Sequence, residues 1–196
     1  GVQPVLNCNV CNTGDIQING IEGVYTQVLL DGMPIVSGLG TVYGLMGIPN
    51  SLIDRIEVVK GPAGALYGSE AMAGQINIIT KDALNAPRFS LDLMGTTWAE
   101  GNLDAGLKWN AGPSATSLFG INAYWFNNPL DKNEDGFIDL TQQKRFSFFN
   151  KWQWQRPNEK VAQLAARYVW EDRWGGETNW TTADRAGDEV YGESIY

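Results

Sequence analysis

The stretch Ile53-Asp-Arg-Ile-Glu-Val-Val-Lys-Gly-Pro-Ala-Gly-Ala-Leu-Tyr-Gly-Ser-Glu-Ala-Met-Ala-Gly-Gln-Ile-Asn-Ile-Ile-Thr-Lys81 contains two β-strand patterns separated by a glycine-rich segment. β-Branched residues dominate both ends, and Gly61-Pro62 terminates the first strand. Glycines allow the intervening backbone to bend sharply or to approach another surface closely. No Gly-Lys-Ser/Thr follows them, so the segment is not a phosphate-binding loop. The sequence therefore predicts a strand, a compact turn and a second strand.

Two parts of this stretch resemble the plug-domain signature of TonB-dependent outer-membrane receptors. They are Arg55-Ile-Glu-Val-Val-Lys-Gly-Pro and Ala65-Leu-Tyr-Gly-Ser-Glu-Ala-Met-Ala-Gly-Gln-Ile-Asn-Ile-Ile-Thr-Lys. Upstream, Val28-Leu-Leu-Asp-Gly-Met-Pro-Ile resembles the hydrophobic-Asp-Gly segment of the same domain, at about the expected distance. Lys60 stands where the family usually has Arg, which keeps the charge but loses the bidentate fork. Several linked segments in order make the resemblance specific.

Composition and charge exclude several classes of protein. The net charge is -8 and the chain has no His, which argues against nucleic-acid binding because neutralising phosphates needs a basic surface. The chain contains no run of eighteen apolar residues, so the sequence does not predict a transmembrane helix. The chain starts at Gly1 without the pattern of a signal peptide. We therefore expect a segment truncated at both ends.

After Lys81 the sequence alternates between apolar and polar residues in five successive runs. The apolar positions are Phe89, Leu91, Leu93; Leu103, Ala105, Leu107, Trp109; Phe119, Ile121, Ala123, Trp125; Phe146, Phe148, Trp152, Trp154; and Ala162, Leu164, Ala166, Tyr168, Trp170. Each run has about the ten residues that a tilted transmembrane strand needs. Tryptophans lie near the ends of the runs, which favours an interfacial aromatic girdle over a soluble core. Short connections at 111–115 and 156–160 alternate with long ones at 127–143 and 171–192, as in outer-membrane barrels.

The predicted fold class is an α+β plug domain followed by strands of an antiparallel transmembrane β-barrel. Residues 1–82 would form an N-terminally truncated plug, and residues 83–196 roughly the first five strands of a C-terminally truncated barrel. A secreted, calcium-stabilised β-sandwich that acts as a binding module is the alternative from another class.

Two loops of the expected plug are candidate substrate-binding segments. Val36 to Gly47 is rich in glycine, but its spacing differs from a dinucleotide fingerprint, which leaves a packed loop or, by the resemblance, an apical plug loop. The resemblance implies that this loop and the one near Asn7 to Asn12 contact substrate at the extracellular side. The candidate residues are Asn7, Asn9, Asn12, Tyr25, Val36, Ser37, Leu39, Val42 and Tyr43.

Cys8 and Cys11 form a Cys-x-x-Cys motif. A zinc site is incomplete without further Cys or His. In an oxidising compartment we expect a local disulfide between them, while a contact to metal or ligand, or two unpaired structural thiols, remain open.

Residues 131–142 have the spacing of a calcium loop. Asp131, Asn133, Asp135 and Asp139 supply oxygen ligands, and Phe137 supplies its carbonyl, around the turn at Gly136. Position twelve is a glutamine rather than the bidentate glutamate, and flanking helices are absent from the pattern. The sequence therefore leaves weak calcium binding and a solvated acidic turn as alternatives; no other cofactor is expected.

No catalytic constellation is present, because a chain without His lacks the usual Ser-His and Cys-His pairs. The adjacent acids Glu171-Asp172 and Asp188-Glu189 would diverge on a strand and are interpreted as solvated loop charge. We therefore do not expect an enzyme.

The resemblance implies a bacterial outer-membrane receptor, energised by the TonB-ExbB-ExbD complex, that imports a scarce bulky nutrient. Ferric siderophore, haem and cobalamin all fit; the plug looks most similar to those of Bacteroidetes receptors, and an importer of oligosaccharides of the SusC type remains an alternative. Expected partners are a metal-chelate or tetrapyrrole ligand and outer-membrane lipid, without nucleic acid. Candidate plug-to-barrel contacts are Arg55, Glu57, Lys60, Arg88, Asp92, Asp104, Lys108, Arg145 and Lys151.

Overall fold

A computed structural model describes residues 1–8, 13–35, 46–62, 71–82, 86–158, 160–184 and 186–195. In these ranges the chain forms three β-sheets. Helical structure there consists of the three short 3-10 helices Gly23–Tyr25, Asn50–Leu52 and Thr182–Asp184. The helical component of the expected α+β plug is therefore limited, in the described residues, to 3-10 helices. No helix in these ranges has the length and apolar character needed to cross a membrane.

The first half of the chain forms two small sheets. Strands β1 (Val2–Cys8) and β2 (Thr13–Ile18) pair antiparallel. Strands β3 (Thr26–Leu30), β4 (Met33–Pro34), β5 (Ile53–Lys60) and β6 (Gly74–Thr80) form a sheet in the order β4-β3-β6-β5. β3 runs parallel to β6, and the other pairs are antiparallel. We call this second sheet the plug sheet.

The plug sheet packs on the β1-β2 pair through a small apolar core. Ile18 of β2 and Ile76 of β6 are buried together with Ala73. Gly74 has a φ of +150°, and a Cβ there would lie 2.3 Å from the Val59 carbonyl oxygen. Only glycine fits this start of β6, since a side chain would separate β6 from β5.

The second half of the chain is a continuous antiparallel meander, which we call the wall. Its strands are β7 (Phe89–Gly95), β8 (Glu100–Asn110), β9 (Ala115–Phe126), β10 (Gln142–Gln155), β11 (Val161–Gly176) and β12 (Gly192–Ile195). They follow one another in sheet order. β10 and β11 have 14 and 16 residues, so both extend past the ten-residue runs of the sequence pattern.

The extension of β11 corrects the predicted loop that began at residue 171. Glu171 pairs with Arg145, and Trp174 pairs with Gln142. Residues 171–176 therefore continue the strand, because β10 offers them backbone partners that a single-sequence pattern does not reveal. Glu171 is consequently a strand residue of the wall, and its interpretation as solvated loop charge was wrong.

The wall has two chemically different faces. Alternate residues on one face are large and exposed, including Phe89, Leu91, Leu107, Trp109, Trp125, Trp154 and Tyr168. We call this the outer face. The opposite, inner face carries the buried polar residues Asp104, Asn122, Ser147, Lys151 and Arg173. A β-sandwich would instead bury its apolar face against a second sheet.

Candidate functional site

A buried polar cluster joins the plug sheet to the inner face of the wall. The Lys151 Nζ donates to Asp31 Oδ2 at 2.9 Å and to Thr80 Oγ1 at 2.8 Å. Thr80 in turn donates to both Asp31 oxygens, from its backbone N at 2.8 Å and its hydroxyl at 2.7 Å. The side chains of Lys151 and Asp31 are only 5% and 16% exposed. We call these three residues the polar junction.

Local turn chemistry places Asp31 in this cluster. Asp31 and Gly32 have φ values of +50° and +79°, the left-handed pair that closes a two-residue hairpin between β3 and β4. Asn77 of β6 holds the turn from the other side, since its Oδ1 accepts from the Gly32 N at 3.0 Å. The Asp31 carboxylate is therefore held in position by its own turn and by β6, independently of its contact with the wall.

A second contact lies on the inner face, further along β10 and β11. The Ser147 hydroxyl donates to the carbonyl of Gly47, and the Arg173 Nη2 lies 3.2 Å from the Met46 sulfur. Gly47 has a φ of +71°, and a Cβ there would lie 2.7 Å from the Ser147 Cβ. This close approach requires glycine.

The third contact is apolar and uses glycines of the wall. Leu52 closes the 3-10 helix Asn50–Leu52 and is 2% exposed. A Cβ at Gly120 would lie 2.5 Å from the Leu52 Cδ1, and one at Gly106 would lie 2.9 Å from the Ser51 Oγ. The missing side chains on β8 and β9 thus form the recess that accepts this segment. The Lys81 side chain also holds this segment, because it donates a hydrogen bond to the Ser51 carbonyl at 2.8 Å.

Beside these contacts the inner face carries a hydrogen-bonded network. The Asn122 amide donates to Asn102 at 2.9 Å and to Asp104 at 3.0 Å. Arg173 donates to Glu171 at 2.8 Å, and Gln143 donates to the same carboxylate oxygen. Glu171 Oε2 is buried without a partner among the described residues. The face is polar but balanced in charge, which is typical of a surface held against another part of the protein rather than of lipid.

Three predicted plug-to-barrel residues lie on strand β5 of the plug sheet. Arg55 binds Glu57 and Asp54 of its own strand, each at 2.9 Å, and these acids raise its pKa, Glu57 most strongly. Arg55 is exposed on β5 and lines one cleft with Lys151 and Gln163 of the wall. Its contact with the barrel, and that of Glu57, stay predictions. Lys60 lies exposed at the end of that strand.

The remaining predicted contacts lie on the wall. Arg145 points to the inner face, 3.4 Å from the Asn122 Oδ1 and over the Tyr124 ring. Asp92 and Lys108 share that face by the strand register, and the carbonyl of Arg88 accepts from the Lys108 backbone N at 2.9 Å.

Sequence reasoning missed Asp31, Thr80, Ser147 and Met46. The Asp-Gly turn dipeptide was the only signal for any of them.

Most of the predicted substrate residues lie outside the described residues: Asn9, Asn12, Val36, Ser37, Leu39, Val42 and Tyr43, together with Cys11. Asn7 and Cys8 are in β1. Tyr25 is the last residue of a 3-10 helix and is 40% exposed. The substrate site and the disulfide therefore stay predictions.

The calcium-like loop uses its carboxylates internally. Both Asp131 oxygens accept backbone hydrogen bonds, from Asp135 at 3.2 Å and Gly136 at 3.0 Å. Asp135 accepts from Asn133 and from the Phe137 N, and Asp139 accepts from the Lys132 N. In the described part of the chain no three acidic side chains converge on one point. Calcium binding stays a prediction.

This loop is attached to the end of β11. The Ile138 N donates to the Gly176 carbonyl at 3.0 Å, and the Thr178 N donates to the Gly136 carbonyl at 2.8 Å. The Phe137 and Tyr191 rings lie 6.4 Å apart. The two long connections thus form one rim at the same end of the wall.

The turn at residues 181–184 in this rim contains hydrogen bonds that a pH titration can test. Asp184 Oδ2 accepts from the Thr181 hydroxyl at 2.7 Å and from its N at 2.8 Å, which lowers the Asp184 pKa. A lowered folded-state pKa keeps these bonds at every pH above the ordinary value of 3.8 and releases them only as the pH falls through the lowered pKa. Thr181→Val should raise the Asp184 midpoint in a carboxyl-detected NMR titration. An unchanged midpoint would show that the hydroxyl does not set it.

Comparison with known proteins agrees with this architecture. Residues 1–75 match the family described as the TonB-dependent Receptor Plug Domain. A vitamin B12 transporter of Vibrio vulnificus is 44% identical over 69 residues, which make up 35% of this chain and 11% of the relative. The ferric enterobactin receptor PirA of Pseudomonas aeruginosa is 31% identical over 136 residues, 63% of this chain and 18% of the relative.

Solved receptors share the fold. The siderophore receptor PirA of Acinetobacter baumannii matches 90% of this chain and 28% of its own at a TM-score of 0.61 and 20% identity. The ferric enterobactin receptor PfeA of Pseudomonas aeruginosa matches 89% of this chain and 29% of its own, at a TM-score of 0.63 and 20% identity. The chain spans less than a third of the length of each of these proteins. Residues 1–75 thus belong to the TonB-dependent Receptor Plug Domain family, and the longer match makes the chain similar to TonB-dependent outer-membrane receptors.

Proposed function

We propose that this protein imports a bulky metal-chelate nutrient across the outer membrane and that residues 1–82 act as a plug seated against the wall of a β-barrel. The polar junction carries the proposal, because it fixes a separate sheet to the inner face of a meander whose outer face is apolar. A group of polar contacts in a wet lumen can hold the plug at rest and still be replaced by water when the plug moves. The role is transport rather than catalysis.

The plug would move under force from the TonB-ExbB-ExbD complex. The short connections between β8 and β9 and between β10 and β11 lie at one end of the wall, and the rim loops lie at the other. In outer-membrane barrels the short turns face the periplasm, which puts the junction at Lys151 on the periplasmic side and Arg173 on the extracellular side. Ligand would then bind above the plug, at the candidate loop residues named from the sequence.

The relatives support a chelate as the nutrient. Their names describe transport of vitamin B12 and reception of ferric enterobactin, both of which are large metal complexes. Haem is the tetrapyrrole alternative, and an oligosaccharide is the alternative outside this class. We favour a ferric siderophore because the longer match, over 136 residues, is to a ferric enterobactin receptor.

Uptake by cells tests this function. The protein is expressed from its natural gene in an outer membrane that lacks other receptors, and cells are supplied with iron-55 enterobactin, haem or cobalt-57 cobalamin. We expect uptake of one chelate that stops when the proton gradient is dissipated, while binding at the cell surface persists. Uptake that continues without the gradient, or the entry of oligosaccharide alone, would contradict the proposal.

The orientation of the wall predicts a face-specific effect of charge. Leu91 lies on the outer face, 50% exposed, in the middle of β7. Leu91→Lys should destabilise the inserted barrel by about 2–4 kcal/mol, the cost of Lys near the bilayer midplane. Asp92→Lys is the matched control, since the adjacent side chain faces the lumen and should change stability little. The measurement is urea unfolding in lipid vesicles, and equal losses for both variants would contradict the assigned faces.

A further inference from the structure

A pocket of about 490 Å³ lies between the rim and the outer face of the wall. Its base is formed by Lys144, Asp172 and Trp174, and Thr178, Trp180 and Ser194 lie around it. Asp172 and Trp174 follow Trp170 at alternate positions of β11, and Lys144 is the register partner of Asp172. These base residues therefore continue the outer face beyond its apolar part, and Gln143, whose side chain binds Glu171 on the inner face, also lines the pocket.

Two indole rings form the apolar part of the pocket. The Trp174 and Trp180 rings lie 5.3 Å apart with an angle of 32°. Trp180 is held over the edge strand β12, because a Cβ at Gly192 would lie only 2.6 Å from its ring. Loop residue 180 thus folds back on the wall and leaves a concave, aromatic surface under the β11-β12 connection.

The polar groups of the pocket are incompletely paired. The Trp174 Nε1 is buried, and no described residue accepts its hydrogen bond. A buried indole N–H normally finds a partner. Lys144 and Asp172 also line the pocket, and neither forms an ion pair with another residue in the described ranges. The pocket therefore presents donors and an acceptor without a net charge.

We propose that this pocket binds a sugar ring and that the ring belongs to the head group of an outer-leaflet glycolipid. A sugar offers C–H faces that pack on indole rings, and hydroxyls that both donate and accept hydrogen bonds. Such a hydroxyl can accept from the Trp174 Nε1 and donate to Asp172. A phosphate is less suitable because Asp172 offsets the charge of Lys144, and an acyl chain would leave the polar groups unpaired.

The depth of the pocket points to the lipid. Trp170 and Trp125 end the apolar part of the outer face. Asp172 is two residues beyond Trp170 along β11, and Lys144 is the register partner of both Asp172 and Trp125. Aromatic girdles lie at the membrane interface, so the pocket lies at the level of the lipid head groups. A sugar covalently attached to a lipid is already concentrated at that level.

Native mass spectrometry tests the proposal on the protein purified from the outer membrane in detergent. The probes are rough-type lipopolysaccharide in nanodiscs, phosphatidylglycerol nanodiscs, and the soluble oligosaccharide released from the same lipopolysaccharide. We expect wild-type protein to retain lipopolysaccharide, Trp180→Ala to weaken binding about tenfold, and Trp174→Phe to weaken it about fivefold through loss of one hydrogen bond. Trp154→Phe, on the outer face at the opposite end, is the control and should bind as wild type.

The outcomes test the sugar site and its lipid source separately. Failure of wild-type protein to bind lipopolysaccharide, or equal binding by phosphatidylglycerol, would overturn the sugar site. Equal affinity for the soluble oligosaccharide, with the same losses in both variants, would support the sugar site and overturn the lipid source. If Trp180→Ala does not insert into the membrane, the wild-type probes and the milder Trp174→Phe still give a result.

Discussion

Lys151→Met should weaken the seating of the plug by about 3 kcal/mol, because removing one partner of a buried ion pair leaves the other charge uncompensated. The carboxylate left without its partner is that of Asp31. It would keep its two hydrogen bonds from Thr80 but lose the one ion pair that it forms in the described part of the chain. Adding Asp31→Asn removes that charge. The double variant should therefore be less destabilised than the sum of the single variants.

Hydrogen exchange of the backbone amides in β3 and β6 measures this effect, since these strands are protected only while the plug sheet is intact and seated. We expect faster exchange in Lys151→Met and partial recovery in the double variant. Lys160→Met, in a short exposed turn, is the control. If exchange in Lys151→Met equals that of the control, the polar junction does not hold the plug.

Leu52→Ala should cost about 2–5 kcal/mol, as other buried leucines do when they leave a cavity. Leu52 is 2% exposed and fills the recess at Gly106 and Gly120. Gly120→Ala should also be destabilising, for the opposite reason, because its Cβ would lie 2.5 Å from the Leu52 Cδ1. Combining the two changes removes the clash with Leu52 and fills part of the cavity, while the Pro49 Cγ stays 2.8 Å from the new Cβ.

The double variant Leu52→Ala with Gly120→Ala should therefore be less destabilised than the sum of the two single variants. The midpoint of thermal unfolding, measured by calorimetry on protein in detergent, gives the comparison. Gly95→Ala is a suitable control, because a Cβ there would meet its nearest atom only at 3.9 Å. Additive losses in the double variant would mean that Leu52 and Gly120 do not meet.

Much of the architecture follows from local sequence. Alternation in the runs from Phe89 to Trp170 identifies the wall strands and their two faces, because side chains in a strand alternate strictly. The dipeptides Asn19-Gly20 and Asp31-Gly32 mark turns, and both have the positive φ values that such turns require. These features depend on a few neighbouring residues, so a single sequence contains them.

The contacts of the site depend on distant residues and were harder to predict. Lys151 and Asp31 are 120 positions apart, and nothing near either residue identifies the other. Arg55 and Glu57 had the stronger motif, yet they pair within β5. Glu171 belonged to a polar segment that became strand only because β10 is long enough to pair with it. The recess at Gly106 and Gly120 could not be predicted either, because a single sequence does not show which side chain packs against a glycine.

A reversible disulfide between plug and wall tests whether the plug must leave this part of the wall during transport. A Cβ at Gly106 would lie 2.9 Å from the Ser51 Oγ, so the two Cβ atoms are near the roughly 3.5–4.5 Å of a disulfide. Ser51→Cys with Gly106→Cys is made in a chain whose Cys8 and Cys11 are replaced by Ser and whose Ser90 is replaced by Ala, because the Ser90 Oγ would lie 2.5 Å from a Cβ at Gly106. Uptake of the bound chelate is measured before and after reduction. We expect the oxidised protein to bind ligand normally but not to transport it, and reduction to restore transport. Each single-cysteine variant should transport in both states. Undiminished transport by the fully oxidised protein would contradict this expectation, because the plug could not then need to leave this part of the wall.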